Sequence, residues 1–271
     1  MQGGIRELLA PQSIPWQRLA IAIYVGVNIG LVIWAPERPG PHNRDWQIFL
    51  SLRDQPPYDV VTPGPFRYSP VAAWLFSGLT YLGYWPWFAL HAAVLWLLRF
   101  SPPLIVLTVV SWGWWLDAMM GNAFTFIFVA GLLAVRGSRG WALVYLALLC
   151  LMPRPVQMPL AIWLVWKMPD VRLPAAAIIV THGVLALLSG ELGAWVRILA
   201  STASDPAGYN LSPTALIGLA WLIVGVPLSI WLTWKGRVGW AGLAITPYVF
   251  PIYWLMPLID LRYWRQVPRR S

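Results

Sequence analysis

An all-helical fold that crosses a membrane many times is predicted by three observations on this chain of 271 residues. Hydrophobic residues make up 59% of it and charged residues only 11%, where a soluble domain carries about a quarter charged. Successive apolar runs approach the length needed to cross a bilayer core of about 30 Å. Twenty tryptophans suit anchoring at the two membrane interfaces. The expected architecture is a single membrane domain over 1–271, with about eight to ten transmembrane or re-entrant segments.

The first span is expected from Gln17 to Ala35, as an uncleaved anchor, because no small-residue cleavage site follows it. Arg6 and Arg18 lie on its N-terminal side and place the N-terminus in the cytoplasm. The loop over 36–69 then faces outward. Further spans are expected near 70–84, 87–100, 121–136, 141–152, 156–168, 173–190, 213–234 and 238–259. The stretch from Ser101 to Met120 opens with Ser101-Pro102-Pro103 and reads as re-entrant or as lying along the outer surface. The basic pairs Arg136/Arg139, Lys167/Arg172 and Lys235/Arg237 then all fall inside. A second outward loop runs over 191–213. The arginines of the tail (Arg262, Arg265, Arg269, Arg270) favour the cytoplasm, whereas the span count puts them outside. Pro247, Pro251 and Pro257 would resolve this by folding the last segment into a hairpin.

The net charge of +9 does not indicate nucleic-acid binding. The basic residues are scattered at span ends, which suits anionic lipid headgroups. Cys150 is the only cysteine, so no internal disulfide forms. No charged relay along the spans and no inverted repeat point to a transporter.

Chemistry is concentrated in the first loop. It holds four of the ten acidic residues (Glu37, Asp45, Asp54, Asp59) and four arginines (Arg38, Arg44, Arg53, Arg67), so it is neutral overall. Residues 45–53, DWQIFLSLR, suit a short amphipathic helix lying in the interface. Asp45 heads it, and two readings stand: a helix cap, or a general base that takes a proton from an acceptor hydroxyl. The arginines form surface ion pairs or recognise an anionic headgroup through the guanidinium fork. Arg154, flanked by prolines in LMPRPVQMP, adds a cation at the end of an apolar hairpin. No His/Asp cluster stands at metal-ligand spacing.

The order of these motifs resembles the C-superfamily (GT-C) of membrane glycosyltransferases, and more closely glycosyltransferase family 87, which uses polyprenyl-phosphate-mannose. The residues that carry the resemblance are Asp45, the PPYD turn at Pro57-Tyr58, Phe66-Arg67-Tyr68-Ser69-Pro70, Gly121-Asn122, Met152-Pro153-Arg154-Pro155, Tyr209-Asn210-Leu211-Ser212 and Thr246-Pro247-Tyr248. The chain departs from the family in being shorter, in Asn122 where Gln is usual and in Arg154 where Lys is usual. The resemblance implies transfer of a hexose, mannose for this family, from a polyprenyl-phosphate donor to a lipid or glycan acceptor. The reaction would take place on the outer face of a bacterial plasma membrane. Asp45 would be the catalytic base. Arg154, Arg67, Tyr68, Arg53, Tyr58, Asn122 and Asn210 would bind the donor phosphate or substrate, with neither metal nor cofactor.

Two alternatives stay open. One is an inactive relative. The other is a non-enzymatic subunit of a larger photosynthetic or respiratory membrane complex. In that case His91 or His182, in apolar runs beside Ala92, Ala93 and Gly183, would ligate haem or chlorophyll; the plainer reading of both is a packed, hydrogen-bonded histidine.

Overall fold

The computed structural model describes residues 44–60, 65–202, 212–247 and 249–261, with 22–24, 26–27 and 29–30 of the first apolar run. Every regular element among them is helical. The α-helices are α1 (Arg44–Ser51), α2 (Pro70–Leu79), α3 (Tyr84–Leu95), α4 (Pro102–Val109), α5 (Trp112–Met120), α6 (Phe124–Val135) and α7 (Arg139–Leu151). They continue as α8 (Met158–Lys167), α9 (Arg172–Leu188), α10 (Leu192–Thr202), α11 (Thr214–Ile217), α12 (Leu222–Trp234) and α13 (Val238–Ile245). Short 3-10 turns join several of them, and a ten-residue 3-10 segment, Pro251–Asp260, closes the described chain.

The sequence explains most boundaries. Ser69 caps α2 by accepting from the Ala72 N–H at 3.2 Å, and Pro70 follows at the first helical position, where a missing N–H costs nothing. Ser138 caps α7 in the same way, through the Trp141 N–H. Pro102 and Pro103 open α4. The expected re-entrant stretch is a pair of helices, α4 and α5, bent by 67° at their junction.

The core is built around α6, which is buried along most of its length. It packs on α7, α5 and the Pro251–Asp260 segment. Gly239 and Gly242 of α13 press against the carbonyls of Met256 and Val156, since residues without a side chain let backbones meet. Asp260 returns to accept from the Trp240 N–H at 2.9 Å. The last apolar segment therefore folds back on itself, as its prolines predict, and does not run on as one span over 238–259.

Three further expectations are corrected. The second loop, 191–213, contains the helix α10, whose apolar and polar residues alternate with helical period rather than marking a loop. The expected span 213–234 is interrupted at Gly218. α1 does not lay its apolar face against a bilayer: Trp46, Ile48 and Phe49 are buried in the protein, with Phe49 stacked on Phe76 of α2 at 4.2 Å. One helix, Pro169–Leu188, is long and apolar enough to cross a membrane, or two if the bent α4–α5 pair counts as one span.

Candidate functional site

The site is assembled by four segments. α1 brings Asp45, and the strand-like stretch before α2 brings Tyr68. The turn between α5 and α6 brings Asn122. The Pro-flanked link after α7 brings Arg154. A single backbone bond, Ser69 N–H to Leu151 O at 3.0 Å, ties the start of α2 to the end of α7 and sets Tyr68 beside Arg154. Arg154 is extended (φ −139°, ψ 136°), the conformation that a following proline imposes, and this turns its side chain inward.

Asn122 is the hub. Its Nδ2 donates to Asp45 Oδ2 at 2.6 Å. Its Oδ1 accepts from Arg154 Nη2 at 2.9 Å, from Tyr68 Oη at 3.3 Å and from the Ala123 N–H at 2.7 Å. These donors fix which end of the amide faces which partner. Arg154 Nη2 also donates to Tyr68 Oη at 2.6 Å. The guanidinium lies 5.3 Å from the rings of Tyr68 and Phe124 and 5.6 Å from that of Tyr253, so π-faces enclose the buried cation.

Asp45 does not cap its own helix. Its carboxylate reaches across to Asn122, and Oδ1 has no hydrogen-bond partner among the described residues. Burial pushes its pKa up from 3.8 to about 6, against the opposing pull of Arg154; the negative charge of Asp117 adds to the rise. A carboxyl poised there is ionised at neutral pH and basic enough to accept a proton. Burial also pushes the Tyr68 phenol upward, which keeps its hydroxyl protonated and able to donate.

The close approach of α1 depends on Gly121. It adopts φ +75°, and a Cβ there would lie 2.7 Å from Trp46 Cβ. Only glycine suits both the left-handed backbone and the lack of space. Trp87 Nε1 donates to the Gly121 carbonyl at 2.9 Å and stacks on Trp46 at 6.1 Å.

The other expected residues divide differently. Tyr58 donates to the Tyr68 carbonyl at 2.9 Å, so it supports the site from behind. Arg53 is exposed and held away, bonding Thr80 Oγ1 at 2.7 Å and lying over the Tyr81 ring at 4.1 Å. This corrects its expected place in the substrate pocket. It sits at the far end of α1, two turns from Asp45. The carbonyl of Arg67 accepts from Trp195 Nε1 at 3.3 Å, which joins the two polar loops. Asn210 lies outside the described residues. Ser212 Oγ donates to the Thr246 carbonyl at 3.0 Å and Thr214 Oγ1 donates to that of Pro247, so two late motifs meet each other.

Two residues have roles that the sequence reading did not assign. His91 is fully buried, with Nδ1 at 3.0 Å from the Trp87 carbonyl and Nε2 at 2.8 Å from the Asn122 carbonyl. Both ring nitrogens are thus engaged. Asp117, also fully buried, accepts from the Phe124 N–H and from the Thr125 N–H and hydroxyl. The signal was present: Asp117 is the one acidic residue between Asp59 and Asp170, and a lone carboxylate in an apolar stretch has a task to perform. No group of three or more His, Cys, Asp or Glu able to hold a metal occurs among the described residues.

Compared with family models, curated proteins and solved structures, the chain matches none of them.

Proposed function

We propose that this protein is a polytopic membrane glycosyltransferase of the C-superfamily type, which moves a hexose, mannose by resemblance, from a polyprenyl-phosphate donor to a lipid or glycan acceptor. One observation carries the reading. Asp45, Tyr68, Asn122 and Arg154 are spread over more than a hundred residues, yet they meet in one hydrogen-bonded cluster. It unites a carboxylate with an open oxygen and a buried cation.

In the proposed step Asp45 takes the proton of an acceptor hydroxyl. The hydroxyl oxygen forms a bond to the anomeric carbon as the bond from that carbon to the phosphate oxygen breaks. The lipid phosphate leaves with the electron pair, and a single displacement of this kind inverts the anomeric configuration. The positive potential of Arg154, shaped by Asn122 and Tyr68, favours the charge that gathers on the leaving phosphate. Arg154 holds the base ionised for the same electrostatic reason.

The distribution of apolar surface supports membrane embedding. Leu173 and Leu188 of α9 are 81% and 75% exposed, and Ile223 of α12 is 77% exposed. In water each would forgo about 1.5–3 kcal/mol of burial; acyl chains supply that burial. Helices too short to cross alone, such as α6 of 12 residues, are tolerated at depth when protein covers their ends. Glu191 acts on Tyr58 and Trp195 bonds Arg67, so both polar loops lie at one end of the bundle, as a single outer face requires.

The test is sugar transfer in membranes carrying the overproduced protein, with labelled polyprenyl-phosphate-mannose as donor. Asp45→Asn keeps an acceptor for Asn122 and should accumulate normally while losing transfer by at least a hundredfold. Unchanged transfer removes Asp45 from the reaction. A wild-type protein that transfers no sugar from any polyprenyl-phosphate donor rejects the function itself.

A further inference from the structure

We propose that His91 and Asp117 form a buried positioning pair that fixes the Asn122 amide between the base Asp45 and the cation Arg154. The inference rests on the reading of Asp45 as the base, and it assigns work to two residues that touch no substrate.

The geometry runs inward from the site. Asn122 cannot hold two partners of opposite charge unless its backbone is immobile, and three contacts immobilise it. Its N–H donates to the Asp117 carbonyl at 3.0 Å. Its carbonyl faces His91 Nε2 at 2.8 Å. The Asp117 carboxylate then fixes the start of α6, one residue beyond Ala123, through the N–H groups of Phe124 and Thr125 at 3.2 and 2.7 Å and the Thr125 hydroxyl at 2.7 Å. His91 Nε2 lies 3.7 Å from Asp117 Oδ2, so the two side chains close around the turn from both sides. The His91 ring is itself held edge-on against Trp87 at 5.4 Å and Phe126 at 4.9 Å.

A pair placed only to stabilise the fold needs no electrical connection to Asp45, but Asp117 has one. The charged and titratable groups acting on Asp45 are Arg44 on its own helix, Arg154 on the link after α7 and Asp117 on α5, with the Tyr68 phenol before α2 coupled to it as well. His91 stands directly behind Asp117. Asp117 is thus placed to hold Asn122 still and to keep the base from becoming too acidic.

The experiment uses the full-length protein in membranes, polyprenyl-phosphate-mannose as donor and a short alkyl mannoside as probe acceptor. His91→Phe keeps the ring volume and loses the bond to Asn122; kcat should fall about tenfold or more with KM within about twofold, because misplacement acts on the chemical step. His91→Gln returns an N–H donor at a similar reach and should recover most of that loss. Asp117→Asn removes a like charge from the neighbourhood of Asp45, so the acid limb of its pH–rate profile should move to lower pH. An unchanged kcat in His91→Phe, or a loss that His91→Gln does not repair, overturns the proposal, as does an acid limb that stays in place. If Asp117→Asn does not accumulate, the His91 series decides alone. A wild type inactive with this donor and acceptor overturns the parent reading, and this inference with it; an active wild type with insensitive His91 variants overturns this inference only.

Discussion

Substituting Gly121 by alanine tests whether the site depends on the close approach of α1 to the α5–α6 turn. Two costs arise. Gly121 sits at φ +75°, where an L side chain costs about 1–2 kcal/mol. The added Cβ would also lie 2.7 Å from Trp46 Cβ and 3.3 Å from the Trp46 Cα and N. Carbon atoms settle at about 3.7 Å, so α1 must retreat by about 1 Å, at about 1–3 kcal/mol for overpacking. Asp45 adjoins Trp46, and its 2.6 Å bond to Asn122 would stretch toward about 3.6 Å, past the limit of a hydrogen bond. Gly137 provides the control. It adopts φ +91° with nothing within 4 Å of its Cβ position, so Gly137→Ala carries the backbone cost alone. Thermal unfolding in detergent should place Gly121→Ala about 3–10 °C below Gly137→Ala, at about 2–4 °C per kcal/mol for a chain of this size. Sugar transfer should fall up to a hundredfold in the first variant and stay near wild type in the second. Equal melting losses, or full activity in Gly121→Ala, would refute the claim that this contact positions the base.

Further outcomes follow from the same cluster. The Asp45 carboxyl titrates at about 6, raised from 3.8; transfer should be full above about pH 7 and fall about tenfold per pH unit well below 6, as the base takes up its proton, in a pH–rate profile. Arg154→Lys keeps the charge but replaces a planar fork, whose Nη2 serves both Tyr68 and Asn122, by a single ammonium; transfer should drop by about 10–100-fold with the chain still accumulating. Tyr68→Phe removes one hydroxyl between Arg154 and Asn122 and should cost about 1 kcal/mol in kcat, about fivefold. Tyr145→Phe orphans the buried Gln157 carbonyl behind the Arg154 link; it should lower the melting temperature by about 2–8 °C, reflecting a buried acceptor left unmade.

Composition and spacing made the helical class legible, along with most helix positions, because apolar length and proline punctuation are local properties. The corrections came where one local rule met a tertiary one. The segment over 238–259 is apolar enough for a span, yet Pro247, Pro251 and Pro257 and the glycines at 239 and 242 let it fold back onto α13. The stretch 45–53 has the pattern of an interfacial helix, but a hydrophobic face does not say what covers it. Phe76, Trp87 and the Gly121 turn cover it here, and none of these is near it in sequence.

The site was half legible for a related reason. Asp45, Tyr68, Asn122 and Arg154 stood out because polar residues beside prolines and glycines are conspicuous in an apolar chain, and an ordered set of them narrows the chemistry. Arg53 stood out equally and lies apart, because charge in a loop does not say which way a helix turns: eight residues after Asp45, on a helix with 3.6 residues per turn, it has moved about 12 Å along the axis. The residues that hold Asn122 in place were the least visible. His91 and Asp117 act through backbone carbonyls and N–H groups, and a bond to a backbone leaves no partner residue type for a sequence to display. Rigid support of a site is therefore written mainly as isolated polar residues inside apolar helices, and each such residue is best treated as a question about which backbone group it serves.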